Sequence, residues 1–373
     1  MTSVAILVDQ LFSGAPGGVG TYLRELVPAM TRADPSLRTV LFHARTDGPP
    51  PGREAWLAGF PVEELPQPIA RLYPAWNLTG RPALPHRVAS ADVLHVPSCV
   101  AVPPAGAGQR LVVTVHDLAF RLHPRLFPRV WRNLYRLGLR RAVRRADALI
   151  TPSRTTAEDL VRLSRADPSK VHVIPLAASL PAGEGDVDAV LDRLRVRRPY
   201  LLFVGTLEPR KNAVGLVRAY RRAAAAGLPH SLVLAGPLGW DHQALLRELR
   251  MPGPGEVVLS GKAGAEDLDA LYRGAAAFAY PALYEGFGLP VVEAMARGVP
   301  VVTSNVSSLP EVAGDAALLV DPRSVKDIAL GLVRALKPDE SERLRAAGLL
   351  RARRLTWEET ARRTLEVYEK AGA

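Results

Sequence analysis

Two successive series of short apolar runs, each separated by segments long enough for a helix, constrain the fold of this chain more than any other feature. The first series occupies residues 4–8, 39–42, 93–96, 111–115, 148–151 and 171–175. The second occupies residues 200–204, 231–235, 257–259, 276–280, 299–303 and 317–320. Apolar, β-branched runs that alternate with helices are typical of parallel strands buried on both faces. The pattern therefore predicts an α/β protein with two parallel sheets.

The two series imply two domains. At 373 residues the chain is longer than one ordinary hydrophobic core requires. Between the series, Pro, Gly and acidic residues interrupt the apolar rhythm, which is typical of a linker. We expect a first domain at residues 1–178, a linker at 179–198 and a second domain at 199–355. A helix predicted in residues 356–373 can fold back onto either half, and we place it with the first domain.

The start of the chain and its cysteine content bear on its location. Residues 1–14 lack basic residues, and Asp9 interrupts their apolar run, so they predict a first strand and not a signal peptide. No later stretch approaches the roughly 20 apolar residues that cross a bilayer. The single cysteine, Cys99, excludes an internal disulfide and is compatible with a reducing compartment. We expect a cytoplasmic protein.

Three loops at the carboxyl ends of predicted strands are candidates for ligand binding, because open parallel sheets bind ligands there. The first, GAPGGVG at residues 14–20, precedes a helix. Its glycines could let the backbone approach a phosphate, or they could serve only the close packing of strand and helix. The second, GTLEPRKN at residues 205–212, contains Arg210 and Lys211, which could neutralise a diphosphate or could be solvated surface charges.

The third loop, in residues 280–295, contains two glutamates. Pro290 fits the first position of a helix, which puts Glu285 in the preceding loop and Glu293 about one turn inside the helix. No Ser, Thr, Asp or Asn directly precedes Pro290, so the first helix amides are predicted to be uncapped and available to ligand oxygens. Alternatively, Glu293 is an acid favoured near a helix N-terminus and Glu285 an ordinary loop acid.

These motifs together resemble a known family. The segment EGFGLPVVEAMARGVPVV, with GTLEPRKN and GGVG at corresponding places, is similar to the retaining GT-B glycosyltransferases of family 4. The strings VHDL at residues 115–118, TPSRTTAEDL at 151–160 and SSLPEVAGDAALLVDP at 307–322 extend the resemblance through nearly the whole chain. The resemblance implies a GT-B fold, in which two Rossmann-like domains face each other across a cleft.

The resemblance also implies roles for individual residues. Arg210 and Lys211 would bind the donor diphosphate, Glu285 would hydrogen-bond the transferred sugar, and His116 would contact that sugar near its reacting carbon. The further donor-binding residues implied are Gly17, Gly18, Lys262, Phe287, Gly288, Leu289 and Glu293. Of these, Glu293 would bind the ribose hydroxyls, and backbone near residues 261–263 would contact the base. Asp117 could orient the ring of His116 or cap the following turn.

The activity implied is transfer of a hexose, with retention, from a nucleotide-diphosphate sugar to a hydroxyl acceptor. GDP-mannose is the favoured donor and UDP-glucose the next, since GTLEPRKN and VHDL look most like mannosyltransferases of polysaccharide assembly. A nucleotide-sugar epimerase of the same architecture and a non-catalytic donor-binding subunit are the alternatives. No cofactor or metal is expected, because the Asp-x-Asp triplets at residues 186–188 and 267–269 are interpreted as capping or solvated acids.

A basic stripe suggests one further partner. Its arginines recur at spacings of three and four beside apolar residues, as on one face of a helix: Arg125, Arg129, Arg132, Arg136, Arg140 and Arg144. The net charge of +11 agrees with anionic partners but does not choose among them. The stripe could be a solvated face, or it could contact an anionic membrane, which would make the chain peripheral at the inner face. Nucleic acid is not expected, because no recognisable module or stacking aromatics accompany the arginines.

Overall fold

The computed structural model describes residues 3–12, 17–46, 55–179, 183 and 185–371. The chain divides into two compact units. The first comprises Met1–Leu176 together with Trp357–Ala373, and the second comprises Ala177–Thr356. The second unit is thus inserted between two parts of the first.

The first unit contains a seven-stranded parallel sheet in the order β3-β2-β1-β4-β5-β6-β7. The strands are β1 (Ser3–Leu7), β2 (Arg38–Arg45), β3 (Val62–Pro68), β4 (Val93–Val96), β5 (Arg110–Thr114), β6 (Ala148–Thr151) and β7 (Val171–Val173). Six of them correspond to the six predicted runs. The seventh, β3, was not predicted, because only Leu65 among its residues is buried and the edge position requires no continuous apolar run.

Helices lie in most of the connections between successive parallel strands. In the first unit they are α1 (Gly17–Ala33), α2 (Ile69–Thr79), α3 (His86–Ala89), α4 (Ala119–Leu122), α5 (Arg129–Arg145) and α6 (Arg154–Ser164). The strand order reverses between β1 and β4, which is the arrangement of a Rossmann-type sheet.

The second unit contains a six-stranded parallel sheet in the order β10-β9-β8-β11-β12-β13. The strands are β8 (Tyr200–Val204), β9 (Ser231–Ala235), β10 (Val257–Gly261), β11 (Ala277–Tyr280), β12 (Val301–Ser304) and β13 (Ala317–Val320). All six predicted runs of the second series are strands. The order reverses between β8 and β11, so this sheet repeats the Rossmann arrangement of the first.

The helices of the second unit are α7 (Val187–Arg193), α8 (Ala213–Ala225), α9 (Gln243–Arg250), α10 (Ala265–Gly274), α11 (Leu289–Ala296), α12 (Leu309–Ala313), α13 (Val325–Ala335) and α14 (Pro338–Arg353). Helix α7 lies within the stretch expected to be a linker. The side chain of Asp186 caps it by accepting hydrogen bonds from the amides of Asp188 and Ala189. The segment 179–198 therefore carries a capped helix that contacts α10, and it clusters with the second unit.

The last helix, α15 (Trp357–Lys370), packs on α1 of the first unit. Its Tyr368 hydroxyl lies 2.6 Å from Nδ1 of His95 on β4, and its Thr360 hydroxyl donates to the carbonyl of Pro175 at 2.7 Å. His95 and Tyr368 are both buried. Burial lowers the pKa of His95 to about 3, so its imidazole is neutral at neutral pH. The helix thus completes the core of the first unit through polar as well as apolar contacts.

Candidate functional site

Two of the three candidate loops lie together where the strand order of the second sheet reverses. One loop follows β8 and the other follows β11, and these two strands are neighbours in parallel register. The amide of Leu283 donates to the carbonyl of Arg210 at 2.9 Å, and Asn212 Nδ2 donates to the carbonyl of Pro281 at 3.0 Å. Reversal points of parallel sheets are where such folds bind ligands. The two loops therefore form one surface at the expected place.

The charged side chains of these loops meet. Nη1 of Arg210 lies 3.2 Å from Oε2 of Glu285, and Nζ of Lys211 pairs with Oε1 of the same carboxylate. The three side chains are only 9% to 13% exposed. Arg210, Lys211 and Glu285, three of the residues predicted to be catalytic, thus form one buried cluster, although Glu285 lies more than 70 positions after the other two in the chain. Arg210 and Lys211 are not the solvated surface charges of the alternative interpretation.

A second carboxylate, which the sequence analysis did not single out, belongs to the same cluster. Oε1 of Glu208 accepts from Nε and Nη2 of Arg210 at 3.1 and 2.9 Å, and the Glu208 side chain is 3% exposed. Two cations therefore face two anions, and their formal charges cancel. Glu208 stands in the same GTLEPRKN string as Arg210, so the signal was present, but only the folded loop shows that Glu208 restrains the guanidinium.

Burial and charge set the protonation of this cluster. Burial by itself would raise the pKa of Glu285, but Arg210 and Lys211 outweigh it and hold the pKa at about 2. Burial, followed by the charge of Arg210, lowers the pKa of Lys211, while Glu285 and Glu208 oppose that shift. Burial raises the pKa of Tyr280 well above its usual value, and the neighbouring Glu285 raises it further. At neutral pH Glu285 is therefore a carboxylate and Tyr280 a neutral phenol.

Two serines hold the backbone of Glu285. The hydroxyl of Ser307 lies 3.0 Å from the Glu285 amide, which donates to it, and the hydroxyl of Ser308 donates to the Glu285 carbonyl at 2.9 Å. Both serines follow β12, the next strand of the sheet. Side chains that restrain a backbone in this way carry no periodic pattern, which is why sequence reasoning did not find them.

The second predicted glutamate, Glu293, has different surroundings, as expected. Helix α11 begins at Leu289, so Pro290 occupies its second position and not the predicted first, and Glu293 lies one turn inside. Oε1 of Glu293 accepts from the Ser179 hydroxyl at 2.7 Å, and Oε2 accepts from the Tyr272 hydroxyl at 3.0 Å. Burial raises the pKa of Glu293, whereas these hydroxyls and Arg297 oppose the shift.

The N-terminus of α11 has no side-chain cap, which agrees with the sequence analysis. Its Ncap, Gly288, has φ of +96°, and a Cβ there would lie 2.6 Å from Cδ2 of Leu309. Only glycine tolerates both conditions. The backbone amides of Phe287, Gly288 and Leu289 therefore adjoin an uncapped helix start that follows the Glu285 loop directly. Their contacts with a sugar or phosphate stay a prediction.

The other predicted donor-binding residues lie elsewhere in the fold. Gly17 and Gly18 open helix α1 of the first unit, and a Cβ at either would meet nothing within 4 Å. The preceding part of the glycine loop, residues 14–16, lies outside the described residues. Lys262 is exposed and follows β10, an edge strand two positions from β8. Their roles stay predictions.

His116 follows β5 in the first unit. Its Nε2 lies 2.8 Å from the carbonyl oxygen of Pro97, to which it donates, and its ring meets Tyr22 edge-on at 4.9 Å. Burial lowers the pKa of His116 to about 4, so the ring is neutral at neutral pH and offers hydrogen bonds, not a positive charge. Asp117 accepts from the amide of Ala119 at 2.9 Å, which shows it capping the following turn.

The two Asp-x-Asp triplets differ from each other. Asp186 is a helix cap, as interpreted from the sequence. Asp269 is not a capping or solvated acid: its side chain is 3% exposed and pairs with Nε of Arg297 at 2.8 Å, so that interpretation was wrong for this residue. The position of Asp269 in its helix could not predict this ion pair, because Arg297 is distant from it in the sequence. Over the described ranges, no three His, Cys, Asp or Glu side chains are grouped as a metal site would need.

Comparison with known proteins covers both units. Residues 192–348 match the family described as "Glycosyl transferases group 1", and residues 16–180 match the one described as "Glycosyltransferase Family 4". O-antigen chain mannosyltransferase B of Escherichia coli is 34% identical over 268 residues, which are 70% of this chain and 70% of that protein. The MMP alpha-(1->4)-mannosyltransferase of Mycolicibacterium hassiacum is 31% identical over 338 residues, covering 85% of this chain and 77% of that protein.

A solved structure supports the same architecture. Anabaena Alr3699/HepE, crystallised in complex with UDP-glucose, matches with a TM-score of 0.74 at 18% identity, over 99% of this chain and 100% of that chain. At that identity the likeness concerns the fold. The cluster of Arg210, Lys211 and Glu285 lies in residues 192–348, which match the group 1 model, and His116 lies in residues 16–180, which match the family 4 model.

Proposed function

Because this chain belongs to the family 4 glycosyltransferases, it is a glycosyltransferase of GT-B architecture, and we propose that it transfers a hexose, with retention, from a nucleotide-diphosphate sugar to a hydroxyl acceptor. The observation that carries the proposal is the buried cluster of Arg210, Lys211 and Glu285 where the strand order of the second sheet reverses. GDP-mannose is our favoured donor, and UDP-glucose is the next.

The cluster explains how a leaving diphosphate could be stabilised. As the bond between the sugar and the diphosphate breaks, negative charge develops on the phosphate oxygens. Arg210, Lys211 and the uncapped amides of α11 supply hydrogen-bond donors and positive potential for that charge without a metal. Because Glu208 and Glu285 already compensate the two cations, the site holds them in place without exposing a large free charge to water.

We assign Glu285 to the transferred sugar and Glu293 to the ribose hydroxyls. The carboxylate of Glu285 stays ionised and can accept a hydrogen bond from a sugar hydroxyl. The one N–H of neutral His116 is donated from Nε2 to the Pro97 carbonyl, so its Nδ1 would accept a hydrogen bond near the reacting carbon. In front-face transfer the acceptor oxygen bonds to that carbon on the side from which the diphosphate leaves, and the acceptor's proton passes to a diphosphate oxygen. Glu285 is then not a covalent nucleophile.

Two named relatives favour mannose as the sugar, since both are described as mannosyltransferases. The HepE complex contains UDP-glucose, which keeps that donor next in order. A thermal-shift and turnover screen with GDP-mannose, GDP-glucose, UDP-glucose and UDP-galactose tests the choice. We expect GDP-mannose to give the largest shift and transfer to persist with EDTA. Loss of transfer with the chelator would contradict a metal-independent mechanism, and an epimerised donor without acceptor would favour the epimerase.

We also propose that the arginine stripe contacts an anionic membrane and so brings the enzyme to a lipid-linked acceptor. Helix α5 carries four of the six predicted stripe residues, Arg129, Arg136, Arg140 and Arg144, on one exposed side. The prediction was wrong for the other two, because Arg125 precedes the helix and Arg132 is half-buried and donates to the carbonyl of Pro124 at 3.1 Å. Residues 121–146 contain no acid. None of the arginines at residues 121–145 forms an ion pair with any residue that the structure describes. Val130, beside the arginine side in the first turn, is 70% exposed, as suits a residue that enters a lipid interface. No helix within the described ranges has the length and apolar character needed to cross a bilayer.

Vesicle flotation tests this contact. We expect the chain to bind vesicles containing phosphatidylglycerol and not vesicles of phosphatidylcholine alone. Changing the four α5 arginines to Gln should weaken binding roughly 100- to 1,000-fold, because each arginine near such a surface contributes about 1 kcal/mol. The matched control changes four exposed arginines of the second unit, Arg222, Arg247, Arg250 and Arg353, to Gln. Equal losses in the two variants would mean that net charge, and not this helix, drives binding.

A further inference from the structure

We propose that Tyr280 is a positioning residue of the transfer reaction, whose phenol oxygen holds the Lys211 ammonium and the Glu285 carboxylate in the arrangement that receives the donor. Tyr280 is the last residue of β11 and is fully buried. The inference rests on the proposed function, because it concerns the same cluster. It adds a residue that contributes no charge and that the sequence motifs do not identify.

The phenol oxygen bridges the ion pair. The Tyr280 hydroxyl donates a hydrogen bond to Oε1 of Glu285 at 2.9 Å and accepts one from Nζ of Lys211 at 2.8 Å. Lys211 also contacts Oε1 of Glu285 directly, so the three groups form a closed triangle. A closed triangle fixes the direction of the ammonium as well as its distance from the carboxylate, which a single ion pair between flexible side chains does not.

Counting donors and acceptors shows what the triangle leaves available. An ammonium has three N–H groups, and those of Lys211 include one toward Glu285 and one toward Tyr280, so one is left for a phosphate oxygen. A carboxylate oxygen accepts about two hydrogen bonds. Oε1 of Glu285 accepts hydrogen bonds from Lys211 and Tyr280. Oε2 is paired with Arg210 and can accept one further hydrogen bond, from a sugar hydroxyl. Tyr280 thereby limits each group to one further contact.

The ring of Tyr280 is held independently of its hydroxyl. It stacks on Phe203 of β8 with centroids 5.6 Å apart and an interplanar angle of 25°, and on Phe278 at 5.9 Å and 16°. A phenylalanine at this position would keep the ring packing and lose only the hydroxyl. Nearby Tyr200 offers a contrast, because its buried hydroxyl donates to the backbone carbonyl of Leu271 at 2.7 Å and touches no charged group by that bond.

The substitution Tyr280→Phe tests the role. We expect kcat/KM for the donor to fall about 10- to 100-fold, because both a buried cation and a buried anion lose a hydrogen bond. Most of the fall should be in kcat, with donor KM changing about threefold or less, since the misplaced contacts matter most when charge develops on the diphosphate. The matched control is Tyr200→Phe, which also removes one buried hydroxyl from the second unit and should leave kcat/KM within about twofold.

A double-mutant cycle separates positioning from general loss of structure. If Tyr280 acts by placing Lys211, then adding Tyr280→Phe to Lys211→Ala should lower kcat/KM about threefold or less. The inference would be overturned if Tyr280→Phe lowered kcat/KM as much in the Lys211→Ala variant as in the wild type. Equal losses of kcat/KM from Tyr280→Phe and Tyr200→Phe would also overturn it. So would a single variant Tyr280→Phe within twofold of the wild type. A wild-type chain that neither binds nor turns over any nucleotide sugar would instead contradict the proposed function, and this role with it.

Discussion

Changing Glu285 to Gln is expected to lower kcat about 100- to 1,000-fold while GDP binds at least as tightly as to the wild type. The transferred sugar loses an ionised acceptor whose pKa the cluster holds at about 2, and groups that stabilise a transition state in buried sites have effects of this size. GDP affinity should not fall, because removing an anion 3.2 Å from Arg210 makes the local potential more positive. Isothermal titration with GDP and steady-state kinetics measure the two quantities separately.

The control for this variant is Glu342→Gln, which changes an exposed glutamate on α14 and should alter neither quantity. Gln is preferred to Ala at residue 285 because it keeps the shape of the side chain. Removing one partner of a buried ion pair commonly costs about 3–5 kcal/mol of stability, so Glu285→Ala should also lower the unfolding midpoint. A Glu285→Gln enzyme with kcat within fivefold of the wild type would remove Glu285 from the reaction.

Changing Lys211 to Ala is expected to weaken both GDP binding and turnover, unlike Glu285→Gln. GDP affinity should fall about 10- to 100-fold, because the diphosphate loses one charge-assisted hydrogen bond. The ratio kcat/KM should fall further, about 100- to 1,000-fold, because the charge on the leaving diphosphate is greatest in the transition state. The same titration and kinetic assays apply.

Lys326 provides the matched control, since it is an exposed lysine on α13 of the same unit. The variant Lys326→Ala removes an equal charge away from the cluster and should behave as the wild type. If Lys211→Ala binds GDP with unchanged affinity, Lys211 does not contact the diphosphate. The opposite signs expected for GDP affinity in the Glu285 and Lys211 variants distinguish local charge effects from general damage.

Much of the architecture could be predicted because buried parallel strands leave a strong local signal. Apolar runs such as residues 200–204 and 231–235 coincide with β8 and β9 at both ends. The charged site residues Arg210, Lys211 and Glu285 were identified because they lie in loops after predicted strands, where open parallel sheets bind ligands, and because their motifs resemble those of family 4. Edge strand β3 was missed, since a strand with one buried side chain produces no apolar run.

The supporting residues of the site could not be predicted in the same way. Tyr280 and Ser307 act on Lys211 and Glu285, which only the folded chain brings within reach, and no spacing rule encodes which neighbour a buried hydroxyl will choose. Asp269 shows the converse, because its helical position suggested solvent while Arg297 buries it. Prediction from sequence was thus strongest for backbone placement and weakest for polar partners distant along the chain.

The attachment of α15 to the first unit has a consequence for how the protein is made. Residues 177–356 form one continuous stretch, so the second unit can complete its contacts as soon as that stretch has left the ribosome. The first unit begins earlier but lacks Tyr368 as the partner of His95, and the packing of α15 on α1, until the last helix is synthesised. During translation the half that is started first is therefore the half that is finished last.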